Sequence, residues 1–121
     1  MQMQHLMVDG LASNLPLLRD GAALCAFLQR LVTLLSMEIM SGPLVAKATH
    51  FGPLAGVPAV VIISESHVAI HTWPEREDFN FNIDVFSCRP FDTGLVLHYI
   101  GSELRPTQLS RLVVERPLRG A

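Results

Sequence analysis

Two short apolar runs on either side of a polar break constrain the fold of this chain more than any other feature of its sequence. Residues 59–63 form a continuous, mostly β-branched run that suits a strand buried on both faces, and residues 68–70 form a second apolar run. Between them lie only Ser64, Glu65, Ser66 and His67. Because so short a polar break leaves room only for a tight turn, we predict that the two runs form a β-hairpin.

A third strand and a long helix are indicated by their own periodicities. Residues 79–88 alternate between two faces with a period of two, which is typical of a strand. Between residues 20 and 35 an apolar residue recurs at helical spacing, which predicts an amphipathic helix. The members of this stripe are Leu24, Phe27, Leu28, Leu31 and Leu35. Asn14 and Asp20 are both candidate helix caps, and the Ser-Gly-Pro tripeptide at residues 41–43 is expected to end this region.

The order of the predicted elements indicates the fold class. Further strands are predicted at residues 4–9, 45–50 and 109–115, with a second helix at residues 92–104 and a Gly/Pro-rich loop at residues 51–58. Several of the predicted strands follow one another directly, without a helix between them. We therefore predict an α+β fold, a two-layer sandwich in which an antiparallel sheet carries two helices on one face. With 121 residues and 13.3 kDa, residues 1–121 are the size of one domain.

The charge balance argues against several classes of partner. Nine basic residues are set against eleven acidic ones, which gives a net charge of −2. This composition lacks the basic surface of a nucleic-acid-binding protein and offers no polybasic membrane patch. The most apolar stretch, residues 21–40, is interrupted by polar and charged side chains and falls short of a membrane span. Because the N-terminus also lacks the features of a signal peptide, we expect a cytoplasmic protein.

Metal and disulfide sites are also disfavoured. Cys25 and Cys88 are too few and too far apart in sequence for a disulfide framework or a four-ligand zinc site, and a reducing compartment is the default expectation. His67 and His71 are four residues apart, so on a strand they share a face but lie about 13 Å from each other. We therefore predict no metal site.

The polar residues around the hairpin have ordinary structural roles when each is taken singly, but they are more informative as a continuous string. Residues 63–75 read I-S-E-S-H-V-A-I-H-T-W-P-E, and residues 83–88 read I-D-V-F-S-C. These strings closely resemble the signature of the prokaryotic S-adenosylmethionine decarboxylase family, S-E-S-H-x-x-I-H-T-W-P-E followed by a D-x-F-x-C strand. Members of that family are pyruvoyl-dependent enzymes of spermidine synthesis.

The resemblance implies a self-processing reaction. Ser66 attacks the carbonyl of Glu65 and converts the peptide bond to an ester, and His71 acts as the base in the elimination that breaks the ester. Residues 1–65 and 66–121 become separate chains, and Ser66 becomes an N-terminal pyruvoyl group. That group forms a Schiff base with the substrate amine and acts as the electron sink for decarboxylation. A strained turn between two strands suits this chemistry, because the Ser66 hydroxyl must lie against its own preceding carbonyl.

The resemblance also implies roles in substrate binding and catalysis. Cys88 returns a proton to the substrate carbon, while Trp73, Glu75 and Phe51 contact a small-molecule substrate. The family works as a homodimer with active sites at the subunit interface, so the same is expected here.

Departures from the family pattern leave the substrate open. Residues 76–80, Arg-Glu-Asp-Phe-Asn, replace an aromatic and glycine segment, and the loop before residue 59 carries Gly52, Ala55 and Pro58 where aromatics and a serine are usual. S-adenosylmethionine is the leading substrate. The lost aromatics and the added Glu77 and Asp78 favour a basic amino acid, arginine or ornithine, as the alternative. An uncleaved, non-catalytic binding or regulatory homologue is a further alternative.

Overall fold

The computed structural model describes residues 2–47, 52 and 55–117. In chain order the described elements are β1 (Gln2–Ala12), α1 (Leu15–Arg19), α2 (Gly21–Leu34), β2 (Ile39–Val45), β3 (Pro58–Ile63), β4 (Ser66–Thr72), β5 (Phe81–Ser87), α3 (Thr93–Leu104) and β6 (Pro106–Pro117). Phe51, which the resemblance assigns to substrate binding, lies outside the described residues.

The six strands form one antiparallel sheet in the order β2-β3-β4-β5-β1-β6. The predicted hairpin is confirmed as β3–β4, and Ile63 pairs with Ser66 at its end. The turn itself is only Ser64 and Glu65, because Ser66 and His67 already belong to β4. β1 lies between β5 and β6, so the first strand in sequence is an inner strand of the sheet.

One face of the sheet is buried beneath the helices. Alternate side chains of the inner strands, such as Leu6, Val68 and Ile83, pack in one core with the apolar stripe of α2. The hydroxyl of Tyr99 on α3 donates a hydrogen bond to the Phe27 carbonyl of α2 at 2.8 Å and ties the two longer helices together. The predicted α+β fold with an antiparallel sheet is confirmed, and the short α1 adds a third helix to the two expected.

Aspartate caps explain where the two longer helices begin. Asp20 accepts a hydrogen bond from the Ala23 N–H at 3.1 Å at the start of α2, and Asp92 accepts one from the Leu95 N–H at 3.0 Å at the start of α3. None of the described helices has the length and apolar character needed to cross a membrane.

The segment after α2 differs from the prediction. α2 ends at Leu34, and the Ser-Gly-Pro tripeptide at residues 41–43 lies inside β2. The strand predicted at residues 45–50 was wrong, because Val45 is the last residue of β2 and residues 46 and 47 are not in a strand; residues 48–50 lie outside the described part. Glycine and proline are tolerated within β2 because it is an edge strand whose register with β3 shifts twice.

The opposite face of the sheet, which we call the open face, carries side chains that stay partly exposed. Strand register places one row of residues across five strands on this face: Ile62, His67, Phe86, His5 and Val114. The rings of His67 and His5 each lie 5.5 Å from the ring of Phe86. Ile62 is 51% exposed, so the row ends in an uncovered apolar side chain.

Candidate active site

The turn between β3 and β4 leads into a strained backbone conformation at Ser66. This residue has a φ of 151°, in a region that residues other than glycine rarely adopt. Ser66 is held from both sides, since it pairs with Ile63 on β3 and with Ser87 on β5. Strain of this kind persists only where the surrounding structure enforces it, and it is concentrated at functional sites.

The carbonyl of Glu65, which immediately precedes Ser66, accepts a hydrogen bond from the backbone N–H of Cys88 at 2.7 Å. This bond forms because β5 runs beside β4 and ends at Ser87, so the next residue reaches the turn. A donor at this oxygen stabilises the negative charge that develops when a nucleophile attacks the carbonyl carbon. The Cys88 thiol is free and its side chain is partly buried.

The Glu65 carboxylate is held by two further groups. The Ser64 hydroxyl donates to one carboxylate oxygen at 2.5 Å, and the Arg89 guanidinium donates to the other at 3.3 Å. The Ser64 hydrogen bond first, and Arg89 after it, lower the pKa of the Glu65 carboxyl below its ordinary value. Arg89 also donates to the Ser36 carbonyl at 3.4 Å, so it connects the end of β5 to the turn and to the residues after α2.

His71 lies on the same strand as Ser66 but not near it. The two residues are five positions apart on β4, which corresponds to about 16 Å at the rise of a β-strand. His71 is exposed and pairs with Pro58 and Asn82. Within one chain, therefore, the structure does not bring His71 to Ser66.

Trp73 and Glu75 follow the far end of β4. The Trp73 indole N–H donates to the side-chain oxygen of Asn82 at 2.8 Å, and Glu75 is paired with Arg19 of α1. Glu75 lines a cavity of about 490 Å³. The other lining residues are Arg19, Gly21, Val45, Ala46, Lys47, Ala55, Gly56, Val57 and Pro74. In one chain this cavity and Ser66 lie at opposite ends of β4.

Two residues of this region were not found by sequence reasoning. Arg19 is 56 positions from Glu75 in sequence, and nothing in a single sequence links a cation on a short helix to a carboxylate after a strand. Arg89 follows Cys88 in sequence, and its side chain contacts Glu65 and Ser36. The signal that could have found this contact was the hairpin itself, since a strand pairing with β4 must end beside its turn.

Comparison with known proteins identifies the family of this chain. The S-adenosylmethionine decarboxylase family matches residues 4–117 of the chain. An S-adenosylmethionine decarboxylase proenzyme from Clostridium botulinum (strain Langeland, type F) is 36% identical over 101 residues, which cover 83% of this chain and 81% of that protein. A proenzyme of the same description from Pyrobaculum aerophilum is 32% identical over 104 residues, or 85% of this chain and 78% of that one.

A solved structure supports the fold. The crystal structure of the adenosylmethionine decarboxylase from Aquifex aeolicus VF5 superposes with a TM-score of 0.76 at 23% identity, covering 96% of this chain and 91% of that one. The family match spans nearly all of the described residues, and it includes the strained serine, the turn before it and the end of β5. The chain therefore belongs to the S-adenosylmethionine decarboxylase family.

Proposed function

We propose that this chain is a self-cleaving, pyruvoyl-dependent S-adenosylmethionine decarboxylase. The observation that carries the proposal is the pair formed by a strained Ser66 and a Glu65 carbonyl that accepts the Cys88 N–H at 2.7 Å. This arrangement prepares one peptide bond for attack by the hydroxyl that follows it. Family membership supports the same reaction, and the product would serve spermidine synthesis. Free thiols at Cys25 and Cys88 fit a reducing, cytoplasmic location.

The processing reaction follows from this geometry. The Ser66 hydroxyl attacks the Glu65 carbonyl carbon, the Cys88 N–H stabilises the oxygen as it gains charge, and the C–N bond breaks to give an ester and a free amine. Removal of a proton from the Ser66 α-carbon then expels the Glu65 carboxylate. Addition of water and loss of ammonia leave a pyruvoyl group at residue 66. Residue 66 pairs with β3 on one side and with β5 on the other, so the pyruvoyl group would be held in a fixed position.

In this proposal the proton-removing base, His71, comes from a second chain. His71 of the same chain is about 16 Å from Ser66 along β4. Its exposed position on the open face suits a homodimer in which two open faces stack. In that assembly each site takes Ser66 and Cys88 from one chain and His71 from the other. The apolar row that includes Ile62 and Phe86 would be covered in the same contact.

In the processed enzyme the pyruvoyl carbonyl would accept the substrate amine and withdraw electrons as carbon dioxide leaves. Cys88 supplies the proton that replaces the lost carboxyl group. The cavity beside Glu75 receives the rest of the substrate, with Trp73 close by in sequence and Phe51 as a further proposed contact. The dimer would bring the cavity of one chain toward the cleavage site of the other.

The structure gives less support to a basic amino acid as substrate. That alternative needs a carboxylate available for a distal cation, and Glu77 and Asp78 were the candidates. Asp78 is already bound by two nitrogens of Arg76, at 3.0 and 2.7 Å, and this pairing lowers the pKa of its carboxyl. Glu75 is likewise paired, with Arg19. Family membership, more than these pairings, keeps S-adenosylmethionine as the substrate of the proposal.

Intact mass measurement under denaturing conditions tests the processing step. The purified protein is expected to give chains of 65 and 56 residues, the shorter one with a carbonyl-reactive N-terminus, and Ser66→Ala is expected to remain at full length. Ser64→Ala is the matched control, since it removes a hydroxyl from the same turn and is expected to cleave. A wild-type protein that stays whole after long incubation would contradict the proposal.

Carbon dioxide release tests the substrate. Carboxyl-labelled S-adenosylmethionine, arginine and ornithine are supplied in parallel to cleaved protein, with uncleaved Ser66→Ala as the blank. Release from S-adenosylmethionine alone is expected. Release from an amino acid alone would overturn the substrate and leave the pyruvoyl reaction standing.

A further inference from the structure

The two edges of the sheet differ in how they are protected against pairing with another strand. β2, at one edge, has seven residues, contains Gly42 and Pro43, and shifts register twice against β3. Short length, proline and bulges are common ways to prevent an edge from pairing. β6, at the other edge, has twelve residues and follows β1 with one irregularity, between Leu11 and Ala12. Among the described strands β6 has β1 as its only neighbour, and no proline lies between its terminal residues.

β6 also carries exposed apolar side chains on both of its faces. Leu112 and Val114 lie opposite Met7 and His5 on the open face, and they are 58% and 36% exposed. Leu109 and Val113 point toward the helix side, where they are 41% and 42% exposed. A long edge with apolar residues on both faces is the kind of edge that accepts a further strand.

We propose that β6 pairs antiparallel with β6 of a second copy, about a twofold axis at Val113. In this register each Arg111 lies opposite the partner's Glu115, so the contact has two ion pairs. Val113 lies opposite its own counterpart, and Leu112 lies opposite the partner's Val114. Every apolar residue from 112 to 114 therefore meets an apolar residue.

Neighbouring registers do not give this match. In a continuous sheet, residues that lie opposite each other point to the same face. The twofold axis must therefore pass through a residue and cannot pass between two residues. An axis at Leu112 sets Leu109 opposite the partner's Glu115, and an axis at Arg111 sets two arginines against each other. Charge complementarity therefore selects the register centred on Val113.

The two charges cannot pair within their own strand. Arg111 and Glu115 are four residues apart on β6, which is about 13 Å. The Gln2 side chain donates to one oxygen of the Glu115 carboxylate at 2.8 Å, which leaves the other oxygen for a cation. The edge contact uses the backbone of β6, whereas the proposed homodimer uses the open face. The two contacts are separate, so a homodimer formed through the open face still presents the β6 edge of each copy.

Charge reversal tests the register. Arg111→Glu and Glu115→Arg each place two like-charged pairs across the axis, and the double variant Arg111→Glu/Glu115→Arg restores opposite charges. At low salt each single variant is expected to raise the Kd of the edge contact by about tenfold, and the double variant is expected to return it toward wild type. Sedimentation over a range of protein concentrations measures the Kd. Equal assembly in all four proteins would overturn the proposal.

A cysteine cross-link distinguishes this contact from any other pairing of copies. Val113→Cys places two thiols opposite each other across the axis, at a spacing that permits a disulfide. Ser110→Cys is the control, because the two Ser110 positions lie about 20 Å apart in the same register. Oxidation is expected to link Val113→Cys chains and to leave Ser110→Cys at the wild-type background. No link in Val113→Cys, or equal linking in both variants, would overturn the proposal even where cleavage and decarboxylation proceed normally.

Discussion

Cys88 contributes to the two proposed steps through different atoms. Its backbone N–H contacts the Glu65 carbonyl, while its side chain is the proposed proton donor. Cys88→Ala keeps the N–H, so we expect cleavage to continue and decarboxylation to fall by about 10²–10⁴-fold, as is usual when a general acid is lost. Cys88→Pro removes the N–H, so we expect cleavage itself to fail. Intact mass and turnover measure the two steps, with circular dichroism to verify folding. Full turnover by Cys88→Ala would show that the donor is another group.

The Glu65 carboxylate makes part of the stability of the turn sensitive to acid. Its folded-state pKa is lowered, so the stabilisation is complete above the unfolded pKa of about 4.3 and is lost as pH falls through the lower folded value. Glu65→Gln in the uncleaved Ser66→Ala protein should therefore be less stable than its parent at neutral pH and should approach it in acid. Thermal unfolding from about pH 7 to about pH 3 measures this difference. A difference that stays constant with pH would contradict the assignment.

At the residue scale the sequence names candidate site residues, but it does not give their positions in space. The resemblance names Ser66 and His71 together because they are close in the string. Because both residues lie on the extended strand β4, five positions in sequence separate them by about 16 Å in space. Nothing in a single sequence indicates that, in the proposed homodimer, a second copy supplies His71. The contact between Arg89 and Glu65 has a different cause, since it depends on the pairing of β4 with β5.

Among the elements, periodicity predicted the strands and helices that pack against the core. β3, β4 and β5 contain the predicted apolar runs, and α2 contains most of the predicted apolar stripe as buried residues. β2 was misplaced because its Gly-Pro pair is a common end signal, and only the position of β2 at an edge makes that pair acceptable.

The loop before β3 depends on one glycine. A Cβ at Gly56 would lie 1.5 Å from the Thr72 carbonyl oxygen, so Gly56→Ala must push the cavity-lining loop away from the end of β4. We expect this variant to lose about 2 kcal/mol or more of stability, in line with overpacking of a buried site. Gly101→Ala is the control, since a Cβ there meets nothing within 4 Å and alanine favours the helix by about 0.5–1 kcal/mol. Chemical denaturation measures both, and equal effects would contradict this account.

At the scale of the whole assembly, complementation tests whether His71 acts on the second chain. Ser66→Ala keeps His71, and His71→Ala keeps Ser66, so neither protein alone is expected to cleave. Co-expressed, they form mixed dimers with one complete site, and up to about half of the His71→Ala chains should be cleaved under random pairing. Mass spectrometry distinguishes the two chains. His71→Ala co-expressed with the double variant Ser66→Ala/His71→Ala is the control. Cleavage in that control, or no cleavage in the mixed dimers, would contradict the trans arrangement.

The strand order has a consequence for folding kinetics. The proposed cleavage after residue 65 would leave β1 on one chain, inserted between β5 and β6 of the other. The two pieces would then share backbone ladders on both sides of β1. The protomer of uncleaved Ser66→Ala should refold from denaturant at a rate independent of protein concentration, before it associates with a second copy. The processed protein must first bring two pieces together, so its refolding should slow on dilution. Stopped-flow refolding over a range of dilutions measures this, and concentration-independent refolding of both forms would contradict it. The uncleaved precursor thus keeps the two pieces covalently joined while they fold. Because cleavage removes that link, each molecule can fold in this way only once.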